Sequence, residues 1–182
     1  MKAKPAIALL CGAMLLSACV PTTRYEQQVQ KSATYQQLDA QLKAEFGGDQ
    51  AQIQQLQNLV KLTLSAGLLF PEGGWEVSQA GKAMLARVAP TLTTLTGQRI
   101  VVKGFTDDLP IGEALRPRFA NNVQLSKARA DAVAAVLVEQ GVPARLITTS
   151  GLGEAHPVAS NATPAGRAQN RRVEIDIVEA PA

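Results

Sequence analysis

Residues 125–133 read LSKARADAV and begin the part of the chain that decides the fold. From there to Gln140, apolar residues recur every three or four positions, which predicts a helix with one buried side. Ser126 has the side chain of an N-cap, Gly141 suits the left-handed residue that ends a helix, and Pro143 blocks its continuation. The pattern therefore predicts a helix bounded by its own start and stop signals.

A helix that begins near Ser126 places Arg129 in its first turn. This is an unusual position for a cation, because a helix N-terminus already carries partial positive charge and free N–H groups. The combination favours an anion held between the guanidinium and the helix start. We therefore expect Arg129 to face a carboxylate or a phosphate.

The residues after this helix predict two strands joined by polar loops. Residues 146–150 form a β-branched run, and residues 151–154, GLGE, predict a turn at its end. They lack the third glycine and the following helix of a dinucleotide-binding loop. After the segment 166–172, GRAQNRR, residues 173–177 alternate strictly between apolar and acidic side chains, which is typical of a strand with one covered face.

The motifs LSKARADAV, GLGE, HPVASN and GRAQNRRVEI resemble, in sequence and in order, those of the OmpA-like domain. This is the peptidoglycan-binding module of outer-membrane proteins, Pal-type lipoproteins and MotB-type flagellar proteins. The resemblance covers roughly residues 60–178. It implies an α/β fold, a βαβαβ sandwich with two helices packed on one face of a small mixed sheet.

The residues before the helix supply the remaining elements of that order. Residues 60–64 alternate and predict the opening strand, which is followed by a turn rich in Pro and Gly. A helix is predicted from residue 78 to about residue 95, with Pro90 kinking or shortening it. Residues 99–105 predict the second strand. The sequence of elements independently favours helices on one face of a sheet.

By resemblance, Asp107 and Arg129 match the family's acid and arginine, which hold the free amino-acid end of diaminopimelate in the wall peptide. The α-ammonium of that ligand requires a carboxylate, and its α-carboxylate suits a guanidinium. The alternative is a plain ion pair that ties strand to helix, which at a surface contributes about 0–1 kcal/mol.

Four further residues have two interpretations each. Asn122 either hydrogen-bonds the ligand or caps the helix, and Leu125 belongs either to the core or to the wall of the pocket. Thr106 either offers its backbone or hydroxyl to the ligand or simply ends the strand. Arg171, within the family's GR-x-x-NRR segment, either contacts the anionic wall peptide or fastens the last strand.

Other positions in these motifs have a simpler interpretation or depart from the family pattern. Arg167 and Asn170 either contact the anionic glycan peptide or, as we expect, fasten the last strand through packing and hydrogen bonds. Phe105 stands where many members have His, and residues 108–119 form a longer loop whose start, DLPI, resembles the MotB branch. A stator role is not expected, because MotB-type proteins keep an uncleaved membrane helix with a proton-carrying acid.

The N-terminus predicts a lipoprotein signal peptide over residues 1–18. Two lysines precede an eleven-residue apolar run at residues 6–16, which is too short for a comfortable membrane span. The sequence LSAC then resembles a lipobox whose lipidated cysteine is Cys19. Val20 stands where an inner-membrane retention signal would have Asp, so we expect a lipid anchor in the outer membrane, facing the periplasm.

Residues 19–59 are predicted to form a Gln-rich helical stalk ahead of the OmpA-like domain at residues 60–182. Apolar residues at helical spacing predict two helices, interrupted at Gly47-Gly48-Asp49, in a short coiled coil or stalk. Its role would be a spacer or an oligomerisation element; the alternative is a semi-ordered polar tether. A second hypothesis for the whole protein is an assembly or signalling module whose stalk recruits an envelope protein.

Composition argues against several other classes of function. The formal charge is +3, and removal of the signal peptide leaves 16 basic against 15 acidic residues, so nucleic acid is not an expected partner. Both cysteines lie in the first twenty residues, which excludes a disulfide framework across the fold. The lone His156 has no nucleophile pattern around it, and no Cys/His spacing indicates a metal site. We expect a binding protein without cofactor or metal, not an enzyme.

Overall fold

Five strands form one mixed sheet in the order β1-β2-β5-β3-β4. The structure is a computed structural model and describes residues 33, 35–45, 51–56, 59–95 and 97–179 of the 182-residue chain. The strands are β1 Ala51–Leu56, β2 Leu59–Ser65, β3 Gln98–Gly104, β4 Ile147–Gly151 and β5 Arg172–Glu179. The helices are α1 (residues 35–45), α2 Ala66–Leu69, α3 Gln79–Thr93, α4 Asn122–Glu139 and α5 Pro164–Asn170.

The last strand, β5, lies at the centre of the sheet. It pairs antiparallel with β2 on one side and with β3 on the other, while β1 extends the sheet as a hairpin with β2. β3 and β4 are parallel and are connected through α4. The predicted α/β fold with a small mixed sheet is confirmed.

Alternation along the strands separates a core face from an open face. Val60, Leu62 and Leu64 of β2 are buried, while the residues between them are half-buried. The central strand contributes Val173, Ile175 and Ile177 to the same core. The buried sides of α3 and α4 cover this face, with Met84, Leu85, Val88, Val133 and Leu137. The opposite face of β5 carries charged side chains instead, namely Arg172, Glu174 and Asp176.

The start of α4 differs from the prediction. The N-cap is Asn121, whose Oδ1 accepts a hydrogen bond from the Gln124 amide at 3.0 Å. The expectation that Ser126 caps the helix was wrong, because its hydroxyl donates to the Val123 carbonyl and accepts from the Gly153 amide. Arg129 therefore lies in the third turn, away from the partial positive charge of the helix start.

The helix α3 follows the prediction closely. Its N-cap is Ser78, whose hydroxyl accepts from the Gly81 amide at 3.0 Å. Pro90 lies inside the helix on its exposed side, and the helix continues through it to Thr93. Pro90 thus does not end the helix.

The prediction of a second helix in the stalk was wrong. Residues Ala51–Leu56 form β1, and their backbone pairs with β2 from Ala51 opposite Leu64 to Leu56 opposite Leu59. The spacing of Ile53 and the apolar residues after it fits both a helical and an extended period over so short a segment. Pairing with β2 decides in favour of the strand.

The helix α1 packs against the sheet and α3. Tyr35, Leu38 and Leu42 belong to the main hydrophobic core, with Leu42 only 1% exposed. The Asp39 carboxylate accepts a hydrogen bond from the Ile53 amide on β1, and Glu45 forms an ion pair with Arg87 of α3. The apolar side of this part of the predicted stalk is therefore buried.

The signal peptide, Cys19 and residues 20–32 of the predicted stalk lie outside the described residues. Within the described ranges, none of the helices combines the length and the apolar character needed to span a membrane.

Candidate ligand-binding site

A cleft of about 820 Å³ opens between the β2–α3 connection, α4 and α5. One wall comes from the turn that contains Phe70, Pro71, Glu72 and Gly73. The facing wall includes Gln169 of α5. Two guanidinium groups line the same cleft, those of Arg129 and Arg171.

Arg129 is held in place by the backbone of the first wall. Its Nε and Nη2 atoms donate to the Gly74 carbonyl at 3.0 and 2.7 Å, and its guanidinium lies 5.3 Å from the centre of the Phe70 ring. The residue is 7% exposed. Two donors on one acceptor fix the plane of the guanidinium, so its remaining N–H groups keep a defined direction.

Burial and neighbouring charges act together on Arg129. Burial and, to a smaller extent, the positive charge of Arg171 lower the pKa of Arg129, Asp107 opposes both, and the net result is a pKa of about 10. The three charged groups therefore share one electrostatic neighbourhood. At neutral pH the guanidinium still carries its charge, and an additional anion would stabilise it.

Asp107 pairs with Arg171 in this structure. The Asp107 Oδ2 atom accepts from Arg171 Nη1 at 2.7 Å, while Oδ1 accepts a long hydrogen bond from the Leu109 amide at 3.3 Å. The Asp107 side chain is 9% exposed and that of Arg171 is 41% exposed. The predicted alternative of an ion pair between Asp107 and Arg129 is wrong, since Arg129 donates to a carbonyl instead.

This arrangement suits a zwitterion with an excess of carboxylate. The two guanidinium groups of the cleft can take carboxylates through paired N–H donors. Asp107 can take an ammonium through Oδ1, or through Oδ2 if the more exposed Arg171 side chain turns away. A plain anion would use only the guanidinium groups and would leave Asp107 without a role.

Thr106 and Asn122 form hydrogen bonds with the backbone around Asp107. The Thr106 hydroxyl donates to the Asp107 carbonyl at 2.8 Å, and its amide donates to the Gly153 carbonyl. Asn122 Nδ2 donates to the Leu109 carbonyl at 3.0 Å and lies 3.5 Å from the Asp107 carbonyl. Both residues fix the backbone around Asp107. Of the two interpretations of Asn122, the helix cap is wrong, because its neighbour Asn121 is the N-cap.

Leu125 belongs to a second, smaller core. It packs with Ile111 and Phe119 of the long loop, and Trp75 contacts the same cluster. The Trp75 and Phe119 rings meet edge to face at 5.9 Å, and the Arg118 guanidinium lies 4.2 Å above the Trp75 ring. This cluster holds the long loop against the residue that follows Gly74, so it stabilises one wall of the cleft.

Asn170 and Arg167 fasten residues 158–161 to α5 rather than fastening the last strand. Asn170 is fully buried, and its side chain bonds the Val158 and Ala159 amides, the Ala159 carbonyl and the Asn161 side chain. Arg167 donates to the Asn161 carbonyl at 2.7 Å. Phe105 is buried beneath the Arg172 guanidinium, which lies 3.7 Å from its ring centre.

Sequence reasoning missed part of this cleft. Glu72 and Gln169 were not predicted to line it, and the Gly74 carbonyl was not predicted to hold Arg129, although the turn rich in Pro and Gly was recognised as a turn. Gly73 has a positive φ of 65°, which glycine adopts at low steric cost. The carbonyl of the next residue, Gly74, accepts the hydrogen bonds from Arg129 of α4. Because this turn lies 55 positions before Arg129, no sequence signal placed the two together.

Comparison with known proteins identifies the class. Residues 69–171 match the OmpA family, and the chain belongs to that family. It is 36% identical over 139 residues to the probable lipoprotein YiaD of Escherichia coli, covering 76% of this chain and 60% of YiaD. It is 39% identical over 120 residues to the peptidoglycan-binding protein ArfA of Mycobacterium tuberculosis, covering 66% of this chain and 35% of ArfA.

Solved structures agree with the fold. A putative MotB-like protein from Desulfovibrio vulgaris superimposes with a TM-score of 0.73 at 25% identity, over 86% of this chain and 99% of that one. The predicted resemblance to the family, including its MotB-like members, is confirmed. The chain spans only about a third to three fifths of the length of YiaD and ArfA.

Proposed function

We propose that this protein binds peptidoglycan non-covalently and recognises the free zwitterionic end of diaminopimelate in the stem peptide. The single observation that carries the proposal is the grouping of Asp107, Arg129 and Arg171 in and beside one cleft. Two findings support the proposal. The relative ArfA is named a peptidoglycan-binding protein, and this chain belongs to the OmpA family.

The roles of the residues follow from their geometry. Arg129, fixed by the Gly74 carbonyl, takes the α-carboxylate of the ligand, and Asp107 takes the α-ammonium. Arg171 exchanges its bond to Asp107 for a bond to a ligand carboxylate. Thr106, Asn122 and Leu125 keep the Asp107 backbone and the loop beyond it in position.

We propose further that a lipid on Cys19 anchors the protein in the outer membrane, so that wall binding tethers the membrane to the wall. Several acyl chains anchor firmly, because each buried methylene contributes about 0.8 kcal/mol. The name of YiaD as a probable lipoprotein supports this anchor. Recruitment of a protein partner through the stalk has less support, because α1 directs its apolar residues into the core.

The proposal is tested by retention on purified sacculi. We expect the wild-type protein to sediment with them and the variants Asp107→Ala and Arg129→Ala to remain in solution. Asp108→Ala and Arg145→Ala are matched controls, because both side chains are exposed and neither lines the cleft. Circular dichroism verifies that each variant is folded.

The outcomes distinguish the site from the function. Unchanged retention of both folded variants, Asp107→Ala and Arg129→Ala, would refute the site, and no retention of the wild type would refute wall binding.

For the anchor, Cys19→Ser should move the protein from the membrane fraction to the soluble fraction. A variant that stays with the membrane would contradict lipidation at Cys19.

A further inference from the structure

A second cleft lies on the open face of the sheet and meets the first. Its volume is about 400 Å³, and it is lined by residues of β1, β2, β5 and α5. Ser65 and Gln169 line both clefts. The two therefore form one groove, which runs from the two guanidinium groups across Ser65 and Gln169 onto the open face.

The charged side chains along this second cleft are paired with one another. Glu174 accepts from Lys61 at 2.9 Å through one carboxylate oxygen and from Arg172 at 2.8 Å through the other. Glu174 is 5% exposed and Arg172 is 4% exposed. The three charges sum to +1, but each is hydrogen-bonded to a partner, and Glu174 and Arg172 are largely buried, so these groups leave few free donors or acceptors in the cleft.

Amides and hydroxyls supply the accessible polar groups. Gln52 lies directly opposite Thr63 in the β1–β2 hairpin, and Gln54 lies directly opposite Lys61, so these side chains share one face. Gln52, Gln54 and Gln169 are exposed, with side-chain amides that can both donate and accept. Neutral groups of this kind suit a neutral ligand with many hydroxyl and acetamido groups.

We propose that this second cleft binds the N-acetylated sugars that carry the stem peptide. The inference rests on the proposed function, because the sugar reaches the cleft only when its peptide occupies the first one. In peptidoglycan the lactyl carboxyl group of the sugar is consumed in the amide to the stem, so this part of the ligand is neutral. An extended three-residue stem spans about 10 Å, which keeps the sugar close to the diaminopimelate site.

The length of the groove is also adequate. Lys61 and Ser65 are four positions apart along β2, which corresponds to about 13 Å along a strand. A disaccharide therefore has room to lie along β2, with the amides of Gln52 and Gln54 on one side and that of Gln169 at its peptide end.

The test compares two ligands on the full-length protein purified in detergent, by isothermal titration calorimetry. One is the free tripeptide L-Ala-γ-D-Glu-diaminopimelate, and the other is the same tripeptide on its disaccharide. We expect the wild type to bind the disaccharide form about five- to tenfold more tightly, the effect of one or two added hydrogen bonds.

Variants of the second cleft should remove this gain alone. In Gln52→Ala/Gln54→Ala, and separately in Thr63→Val, the affinity for the disaccharide form should fall to that for the tripeptide, which itself should not change. Gln140→Ala is the matched control, because this glutamine is exposed and lines neither cleft. It should retain the full gain.

Three results would overturn the inference. The sugar site would be refuted if the wild type bound the two ligands with equal affinity, or if the second-cleft variants still bound the disaccharide form more tightly by the wild-type factor. Either result would leave the proposed function intact. Equal losses for both ligands in the cleft variants would show that the substitutions act on the fold. Failure of the wild type to bind either ligand would refute the proposed function as well.

Discussion

The Asp107 Oδ2 atom accepts a hydrogen bond from Arg171 Nη1 at 2.7 Å, between residues that lie 64 positions apart in sequence. The bond joins the segment after β3 to the residue before β5, so one charged pair sets the position of the acid predicted for the site. In the complex proposed above, a ligand ammonium would compete with Arg171 for the Asp107 carboxylate.

The first prediction concerns the energy of this pair. Arg171→Gln should lower the free energy of unfolding by about 1 kcal/mol, since the arginine is partly exposed. The double variant Asp107→Asn/Arg171→Gln should lose less than the sum of the two single variants, because each single variant leaves a partner unpaired. Urea unfolding of all four proteins measures the coupling, and strict additivity would contradict the pairing.

The second prediction concerns the shape of the Arg129 side chain. Arg129→Lys keeps the charge but cannot make two bonds to the Gly74 carbonyl and still present a planar fork to a carboxylate. The Kd for the tripeptide should rise about tenfold. Arg145→Lys, at an exposed position outside the cleft, should leave the Kd unchanged. An unchanged Kd in Arg129→Lys would show that charge alone matters there.

Much of the fold could be predicted because its patterns are local. The apolar spacing of α3 and α4, the start of α3 at residue 78 and the alternation in β5 each depend on residues close together in sequence. The strand β1 could not be predicted in this way, because a Gln-rich segment of six residues has no decisive period. Its strand conformation depends on pairing with β2.

The candidate site was predictable only as a set of residues. Asp107, Arg129 and Arg171 were identified from the motifs, and the structure brings them together. Which of them bond to one another was not predictable, since no sequence pattern links Asp107 to Arg171 or Arg129 to the Gly74 carbonyl. Such contacts depend on how α4, α5 and the β2–α3 turn pack together.

The third prediction tests whether α1 is part of the folded domain. Leu42 is 1% exposed in the main core, so Leu42→Ala should lower the free energy of unfolding by about 2–4 kcal/mol. Gln41→Ala, at the exposed neighbouring position, should change it by less than about 0.5 kcal/mol. Urea unfolding measures both, and equal stability of the two variants would indicate a free-standing stalk.

The fourth prediction concerns the dependence of stability on pH. Burial alone would raise the pKa of Glu174, but the hydrogen bonds from Lys61 and Arg172 outweigh it and hold the pKa below its usual value of 4.5. A carboxylate with a depressed pKa stabilises the folded state above that value, and this contribution is lost as the pH falls through the folded-state pKa.

Glu174→Gln should therefore have a lower Tm than the wild type near neutral pH, and the difference should shrink below about pH 4.5. Thermal unfolding from about pH 7 to about pH 3 measures it. Glu154→Gln, at an exposed position, serves as the control and should show no such trend. A Tm difference that stays constant with pH would contradict the role of the carboxylate charge.

The fifth prediction concerns the close approach of β3 to α4, which positions Asp107 three residues later. A Cβ atom on Gly104 would collide with the backbone carbonyl of Ser126, and neither backbone can move without shifting the strand or the helix. Gly104→Ala should therefore destabilise the protein by about 3 kcal/mol, the cost of overpacking a rigid contact. Because the strand end moves, tripeptide affinity should fall with it.

Gly112→Ala is the matched control for this substitution. Gly112 has a φ of −60°, which any residue adopts, and a Cβ atom there would meet nothing within 4 Å. This variant should keep wild-type stability and affinity although it lies in the loop beyond Asp107. If Gly104→Ala were as stable as Gly112→Ala, the strand and helix would not be in the rigid contact that fixes the acid of the site.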